Sequence, residues 1–176
     1  MTTVLLIDDH AIVREGFKRL FETECDFSVV AEAANADSAL AAARRHSPDV
    51  VILDLSLGPA SSGMQLIQGL LSALPAVKIV VVSMHDDAGL VVRALELGAH
   101  GFVTKGSAAE ELMPTLRRVL NGERGLSGDL GPTLASLPVP RLTERERETL
   151  HGLLSNRPPK AIAIEMGISD KTLYRH

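Results

Sequence analysis

Five polar residues in the first two-thirds of the sequence lie at the ends of short apolar runs: Asp8, Asp9, Asp54, Ser83 and Lys105. Three carboxylates brought close together repel one another, so they must bind a cation or take up a proton. Oxygen ligands favour Mg²⁺, which keeps some of its waters and takes one or two carboxylates together with a phosphate oxygen. If the fold brings these residues together, the sequence predicts a Mg²⁺ site that handles phosphate.

The apolar runs have the length and composition of buried strands. They are Val4–Ile7, Phe27–Ala33, Val50–Leu53, Lys78–Val82 and Gly101–Val103, and the second alternates more, as a strand nearer an edge does. Segments of helical period lie between and after them, at 12–21, 37–45, 64–74, 87–97 and 112–120. This alternation predicts an α/β fold, a five-stranded parallel doubly wound sheet of flavodoxin-like order 2-1-3-4-5. Its first and third strands are neighbours, so the three carboxylates converge at the carboxyl edge, where such sheets bind ligands.

A stretch rich in glycine and proline separates this region from a second one. From residue 141 the pattern becomes helical, and Thr143 and Glu146 have the spacing of a capping box. Two short helical segments joined by a turn containing Gly167 follow, which is the order of a helix-turn-helix. The predicted organisation is a first domain over residues 1–121, a linker over 122–140 and a small all-α domain over 141–176.

Composition restricts the class of protein. The 18 Lys and Arg residues against 22 Asp and Glu give a net charge of −4, which argues against a uniformly basic nucleic-acid-binding protein. Residues 1–125 carry 11 basic and 16 acidic side chains, whereas residues 139–176 carry 7 and 5. The single cysteine, Cys25, excludes an internal disulfide framework. The first residues lack the pattern of an export signal and no apolar segment has membrane length, so we expect a cytoplasmic protein without a membrane partner.

The polar residues at the strand ends of residues 1–121 resemble those of the receiver domain of two-component response regulators. The resemblance implies that Asp54 is the phosphoacceptor and that a sensor histidine kinase is the partner. The implied Mg²⁺ ligands are Asp8, acting through water, Asp9, Asp54 and the backbone carbonyl of Ser56. The implied phosphate-binding and switch residues are Ser83, Lys105 and Phe102. Only Mg²⁺-dependent self-phosphorylation and self-dephosphorylation are implied, so we expect no enzyme acting on a separate substrate.

Residues 142–176 resemble the start of the DNA-binding domain of LuxR/NarL-type regulators, with LTERERETL as the more specific part. The resemblance implies that the second short helix enters the major groove of promoter DNA. The candidate DNA-binding residues are Lys160, Lys171, Thr172, Tyr174, Arg175 and His176. The family pattern continues past His176 into a helix that often makes a dimer contact. We therefore expect a domain truncated in its recognition helix, and a homodimer is one possible assembly.

Several functions fit these features. The leading interpretation is a phosphorylation-controlled transcription regulator that binds DNA, and the alternative is a phosphorylation-dependent protein-interaction switch with a degenerate or incomplete DNA-binding domain. A hydrolase with an aspartyl intermediate is disfavoured, because such enzymes usually have a second Asp at the position held here by Ser56. A nucleotide-binding enzyme ranks lower still, since no glycine-rich phosphate loop follows the first strand.

Overall fold

The computed structural model describes residues 1–57 and 63–135, which belong to a unit running from Met1 to Leu137. A second unit runs from Pro138 to His176. The predicted helix-turn-helix lies outside the described residues, and so do its candidate DNA-binding residues Lys160, Lys171, Thr172, Tyr174, Arg175 and His176. Among the described helices, none is long and apolar enough to cross a bilayer.

The five predicted strands and the five predicted helices are all present. The strands are β1 (Thr2–Ile7), β2 (Phe27–Ala33), β3 (Val50–Asp54), β4 (Lys78–Ser83), β5 (Gly101–Thr104) and an additional β6 (Gly125–Leu126). The helices are α1 (Ala11–Glu22), α2 (Ala36–His46), α3 (Gly63–Ala73), α4 (Ala88–Glu96), α5 (Ala108–Leu120) and a short α6 (Gly131–Ala135). A 3₁₀ turn, Gly128–Leu130, precedes α6.

The strands form one parallel sheet with the order β2-β1-β3-β4-β5-β6. The predicted order is confirmed over its five strands, and β2 lies at an edge as its alternation indicates. Successive strand residues point to opposite faces of the sheet, so a strand contributes side chains to two hydrophobic cores. Val4 and Leu6 pack with apolar residues of α1 and α5, whereas Leu5 and Ile7 pack with those of α2, α3 and α4. The carboxyl edge of the sheet is thereby held between two helical layers.

The segment predicted as a linker, residues 122–140, differs from the prediction over residues 125–135. β6 pairs in parallel with β5, and Leu130 is fully buried in the core on the α2, α3 and α4 side. Leu126 and Leu134, which lie four residues before and four residues after Leu130, pack against the same core. Gly125 permits the close approach, because a Cβ there would lie 2.6 Å from Thr115 Cγ2. Burial of these leucines explains why this segment packs on the sheet.

His100, just before β5, couples the stability of this fold to pH. Its Nδ1 accepts a hydrogen bond from the backbone N–H of Ile79 at 3.2 Å. Burial lowers the pKa of His100 below its usual value of 6.5, and the charges of Lys78 and Arg124 lower it further. The unfolded chain therefore takes up a proton first, so this contribution to stability is complete above pH 6.5 and is lost as pH falls through the lowered pKa.

We expect the urea midpoint of the wild-type chain to decrease as pH falls below about 6.5, and that of His100→Asn to decrease less. The measurement is urea unfolding followed by circular dichroism at several pH values. His46→Asn, which changes an exposed histidine, is the control and should follow the wild type. An equal decrease in His100→Asn would assign the pH dependence to another group.

Candidate metal and phosphate site

Strand register brings the predicted polar residues to one edge of the sheet. Asp8 directly follows β1, Asp54 is the last residue of β3, Ser83 is the last residue of β4, and Lys105 directly follows β5. Asp54 is paired with Val82, the neighbour of Ser83, and Ser83 is paired with Thr104, the neighbour of Lys105. The sequence pattern placed Asp54 and Ser83 just beyond their strands, and the structure places both at the strand ends.

The carboxylates form an acidic cluster at this edge. Asp8 and Asp54 are 3% and 1% exposed, whereas Asp9 is exposed. Each of Asp8, Asp9, His10 and Asp54 offers a ligand atom within 4.8 Å of the others. His10 was not among the predicted residues: its backbone N–H donates to Asp8 Oδ1 at 2.8 Å and its Nδ1 lies 2.7 Å from Asp9 Oδ1. The signal that points to His10 is its position directly after the two aspartates.

Lys105 bridges the two buried carboxylates. Its Nζ lies 2.7 Å from Asp8 Oδ2 and 2.7 Å from Asp54 Oδ2. Burial by itself would lower the pKa of Lys105, but the contacts with Asp54 and Asp8 outweigh it and hold the pKa above its usual value. The other oxygen of Asp54, Oδ1, accepts a hydrogen bond from the backbone N–H of Ser56 at 3.0 Å. Lys105 therefore stays protonated and balances charge that burial would otherwise penalise.

The cluster fits a hard divalent cation. Its donors are mainly carboxylate oxygens, which Mg²⁺ prefers. Asp8 Oδ2 is buried and has no hydrogen-bond partner of good geometry among the described residues, although the Lys105 ammonium lies beside it. A buried carboxylate oxygen with spare acceptor capacity is available to a cation. The role of the Ser56 carbonyl as a further ligand stays a prediction.

A second basic residue, Arg14, binds the backbone of Asp8. Its Nη1 donates to the backbone carbonyl of Asp8 at 2.6 Å, and its Nε pairs with Glu32 of β2 at 3.2 Å. Lys18 also pairs with Glu32, at 3.0 Å. Arg14 thus ties the end of β1 to α1 and β2. It escaped the sequence analysis because a charged residue on an amphipathic helix looks like any other solvated side chain.

Two of the three predicted phosphate-binding and switch residues are fully buried. Ser83 is 0% exposed, and its Oγ accepts a hydrogen bond from the backbone N–H of His85 at 3.1 Å. Its carbonyl accepts from the backbone N–H of Lys105 at 2.7 Å. Phe102 is also 0% exposed and belongs to the core on the α2, α3 and α4 side. The structure thus brings the hydroxyl and the ammonium to the site edge and places the aromatic ring in the core.

The comparison with known proteins agrees with this geometry. Residues 4–117 match the response regulator receiver domain. The transcriptional regulatory protein UhpA of Escherichia coli strain K12 is 40% identical over 177 residues, covering 100% of this chain and 88% of UhpA. The nitrate/nitrite response regulator protein NarL of the same strain is 34% identical over 184 residues, covering 99% of this chain and 85% of NarL. The chain is a response regulator of the NarL/LuxR type.

A solved structure extends the likeness to three dimensions. A LuxR-family two-component response regulator from Aurantimonas sp. SI85-9A1 superposes with a TM-score of 0.73 and 37% identity, covering 77% of this chain and 96% of that chain. The receiver fold and the leading interpretation as a two-component transcription regulator are thereby confirmed. Receiver domains bind Mg²⁺ at an acidic pocket, and the regulator has a matching aspartate cluster. Regulators of this family partner with sensor kinases and bind DNA.

Proposed function

We propose that this regulator accepts a phosphoryl group on Asp54 from a sensor histidine kinase, in a Mg²⁺-dependent reaction, and that this switches a DNA-binding output. The carrying observation is the placement of Asp54. Its carboxylate is 1% exposed, with Oδ2 at 2.7 Å from Lys105 Nζ and Oδ1 bound to the backbone of Ser56. A buried, oriented carboxylate beside a fixed ammonium and two further aspartates is suited to phosphoryl transfer.

Phosphoryl transfer is catalysed mainly by positioning and by charge stabilisation. Asp54 attacks the phosphorus in line, a new oxygen–phosphorus bond forms, and the bond to the donor breaks. Lys105 supplies a fixed positive charge to the oxygens of the transferred group, because its raised pKa keeps it protonated. Asp9, Asp54 and the backbone carbonyl of Ser56, with Asp8 acting through water, would hold Mg²⁺, which would supply additional charge neutralisation for the transferred group. Release of the group by water reverses the modification, so the only chemistry is on the regulator itself.

The modified aspartate adds negative charge and new acceptor oxygens to a buried edge. The Lys105 ammonium then leaves its bridge between Asp8 and Asp54 and pairs with the phosphoryl group. In the unmodified chain the Ser83 hydroxyl accepts a hydrogen bond from the backbone N–H of His85. After phosphorylation it turns to donate a hydrogen bond to a phosphoryl oxygen. Because Lys105 N–H is bonded to the Ser83 carbonyl, movement of either residue moves β4 and β5 together. The buried ring of Phe102 on β5 follows that movement, giving two states.

A protein donor is supported by the surface around the site. Ile12 and Met84 are 84% and 72% exposed, which is unusual for large apolar side chains. A groove of about 580 Å³ between α1 and α5 reaches from Phe17 and Leu20 to Met84 and Lys105. A groove lined by apolar side chains beside the acceptor suits a helical protein surface that presents a phosphohistidine. A cytoplasmic location of both proteins is part of this proposal.

The test of the central step is intact-mass measurement after treatment with a small-molecule phosphodonor. With Mg²⁺ we expect the mass of one added phosphoryl group, and with a chelator in place of Mg²⁺ we expect none. The added group should be released by hydroxylamine, which cleaves acyl phosphates. A wild-type chain that takes up no phosphoryl group in Mg²⁺ would refute the proposal.

The DNA-binding part of the proposal rests on the resemblance of residues 142–176 to LuxR/NarL-type DNA-binding domains and on the relatives named as transcription regulators. Lys160 is assigned to phosphates and Lys171, Thr172, Tyr174, Arg175 and His176 to base edges or nearby phosphates. A DNA-binding domain over residues 141–176 and a homodimer on a symmetric site belong to the same proposal.

A mobility-shift assay against duplexes selected from a random library tests the output. We expect the phosphorylated chain to bind and shift duplexes that the unmodified chain binds only weakly. The affinity for these duplexes should fall as the salt concentration rises. A chain that carries both Lys171→Ala and Arg175→Ala should shift no duplex but should be phosphorylated like the wild type. If the phosphorylated wild-type chain shifts no duplex, the result would favour the alternative, a phosphorylation-dependent protein-interaction switch.

A further inference from the structure

Asp129, in the 3₁₀ turn after β6, is bound by hydroxyl groups of the last residue of β5 and of the residue before α5. Thr104 Oγ1 donates to Asp129 Oδ2 at 2.5 Å, and Ser107 Oγ donates to Asp129 Oδ1 at 3.4 Å. The two hydroxyls also lie 2.9 Å from each other. Hydrogen bonds from Ser127, Thr104 and Ser107 lower the pKa of Asp129, so it is a charged acceptor at neutral pH. Asp129 therefore connects residues 125–135 to the end of β5 and the start of α5. We call the hydrogen bonds of Asp129 with Thr104 and Ser107 the Asp129 latch.

The Asp129 latch lies next to the phosphoacceptor site, because Thr104 and Lys105 are consecutive residues. Thr104 immediately precedes Lys105, whose backbone N–H is bonded to the Ser83 carbonyl and whose ammonium contacts Asp54. Thr104 is 8% exposed, and its backbone is joined to that of Lys105 by a single peptide bond. A change in the backbone position of Lys105 therefore also moves the residue whose hydroxyl Asp129 binds.

Further bonds attach the same segment to β5. The backbone N–H of Ser127 donates to the Phe102 carbonyl at 3.0 Å, and Ser127 Oγ accepts from the Thr104 N–H at 3.3 Å. Leu130 is 0% exposed and belongs to the same core as Phe102. Residues 125–135 are therefore bonded to the two residues of β5 that flank Val103, and they share a core with the predicted switch ring.

We infer that Asp129 is a positioning residue for Lys105, acting through the Thr104 hydroxyl, and that it couples occupancy of the Asp54 site to residues 125–135. This inference rests on the proposed function, because the coupling is to the phosphorylated or phosphoryl-mimicking state. When Lys105 turns to a phosphoryl group, Thr104 moves, the Asp129 latch loosens, and the segment leading to the second unit is released. By reciprocity, breaking the latch changes the affinity of the site for a phosphoryl group by the same factor.

The experiment uses the full chain with Mg²⁺ and beryllium fluoride, a phosphoryl analogue, as the probe. Asp129→Ala and Thr104→Val remove the latch from its two sides, and Thr104→Ser restores the hydroxyl. Glu123→Ala is the control, because Glu123 is an exposed carboxylate close in sequence. The readouts are the dissociation constant for beryllium fluoride and the amide hydrogen exchange of residues 125–135 with and without it.

In the wild type, the Glu123→Ala control and Thr104→Ser, beryllium fluoride should accelerate exchange in residues 125–135. In Asp129→Ala and Thr104→Val, exchange should already be about tenfold faster without the probe, the probe should add little, and beryllium fluoride affinity should change about fivefold or more. Faster exchange with wild-type affinity in both latch variants would show a purely structural bond and overturn the inference. A wild-type chain that does not bind beryllium fluoride would instead overturn the proposed function, and the coupling with it.

Discussion

Asp54→Asn is expected to take up no phosphoryl group from a small-molecule donor in Mg²⁺, whereas the wild-type chain takes up one. An amide oxygen is a far weaker nucleophile than a carboxylate and carries no charge to bind the cation. The neutral side chain keeps an acceptor for the Ser56 N–H, and removing one of two buried negative charges is tolerated because Asp8 still pairs with Lys105. The measurement is the intact mass of both proteins after the same treatment.

The matched control for this variant lies at the opposite end of the same strand. Asp49 precedes β3 and accepts hydrogen bonds from the backbone N–H and the hydroxyl of Thr3 at 2.8 and 2.7 Å. Asp49→Asn keeps an acceptor oxygen and is expected to be phosphorylated like the wild type. Full uptake by Asp54→Asn, or hydroxylamine-resistant uptake by the wild type, would contradict Asp54 as the acceptor.

Lys105→Met is expected to bind Mg²⁺ at least about tenfold more tightly than the wild type and to be phosphorylated at least about tenfold more slowly. The ammonium lies 2.7 Å from both buried carboxylates, so it competes with a cation for the same oxygens. Across a few ångströms in a partly buried site, the repulsion between an ammonium and a divalent ion exceeds about 1.4 kcal/mol, the free energy that corresponds to a tenfold change in affinity. Phosphorylation slows because the transferred group loses its fixed positive partner.

Titration calorimetry with Mg²⁺ and thermal unfolding at several Mg²⁺ concentrations measure the first effect. The variant leaves Asp8 and Asp54 buried without a counter-ion, so its melting temperature should rise more steeply with Mg²⁺ than that of the wild type. Lys78→Met changes a lysine at the first residue of β4, at the opposite edge of the sheet, and should resemble the wild type. Unchanged or weaker Mg²⁺ binding by Lys105→Met would show that the ammonium does not compete with the metal.

The sheet was predictable because its strands are short apolar runs separated by amphipathic helices. In β1, Leu5 and Leu6 belong to opposite cores, and only a strand covered on both faces requires apolar residues at consecutive positions. The polar residues were equally visible, since Asp8, Asp54 and Lys105 interrupt or follow such runs. Their types and their positions at strand ends carried both the metal prediction and the family resemblance.

The extension of the receiver beyond α5 was not predictable from the same signals. Residues 125–135 contain many glycines, which in isolation are typical of a linker. The segment packs because β5 offers an unpaired edge, Gly125 allows close approach to Thr115, and Leu130 fills a space in the core. These are properties of the assembled sheet, and no local pattern of residues 125–135 reports them.

By itself, the sequence determined the order of strands and helices, the residues that meet at the carboxyl edge, and the chemistry of that edge. Those features depend on side-chain type and on alternation along the chain, which are local. Only the tertiary structure decided that Lys105 bridges both buried carboxylates, that Arg14 holds the Asp8 carbonyl, and that Asp129 binds Thr104. Each of these contacts joins residues from different elements, so it depends on how helices and turns pack around the sheet and is not encoded in any one segment.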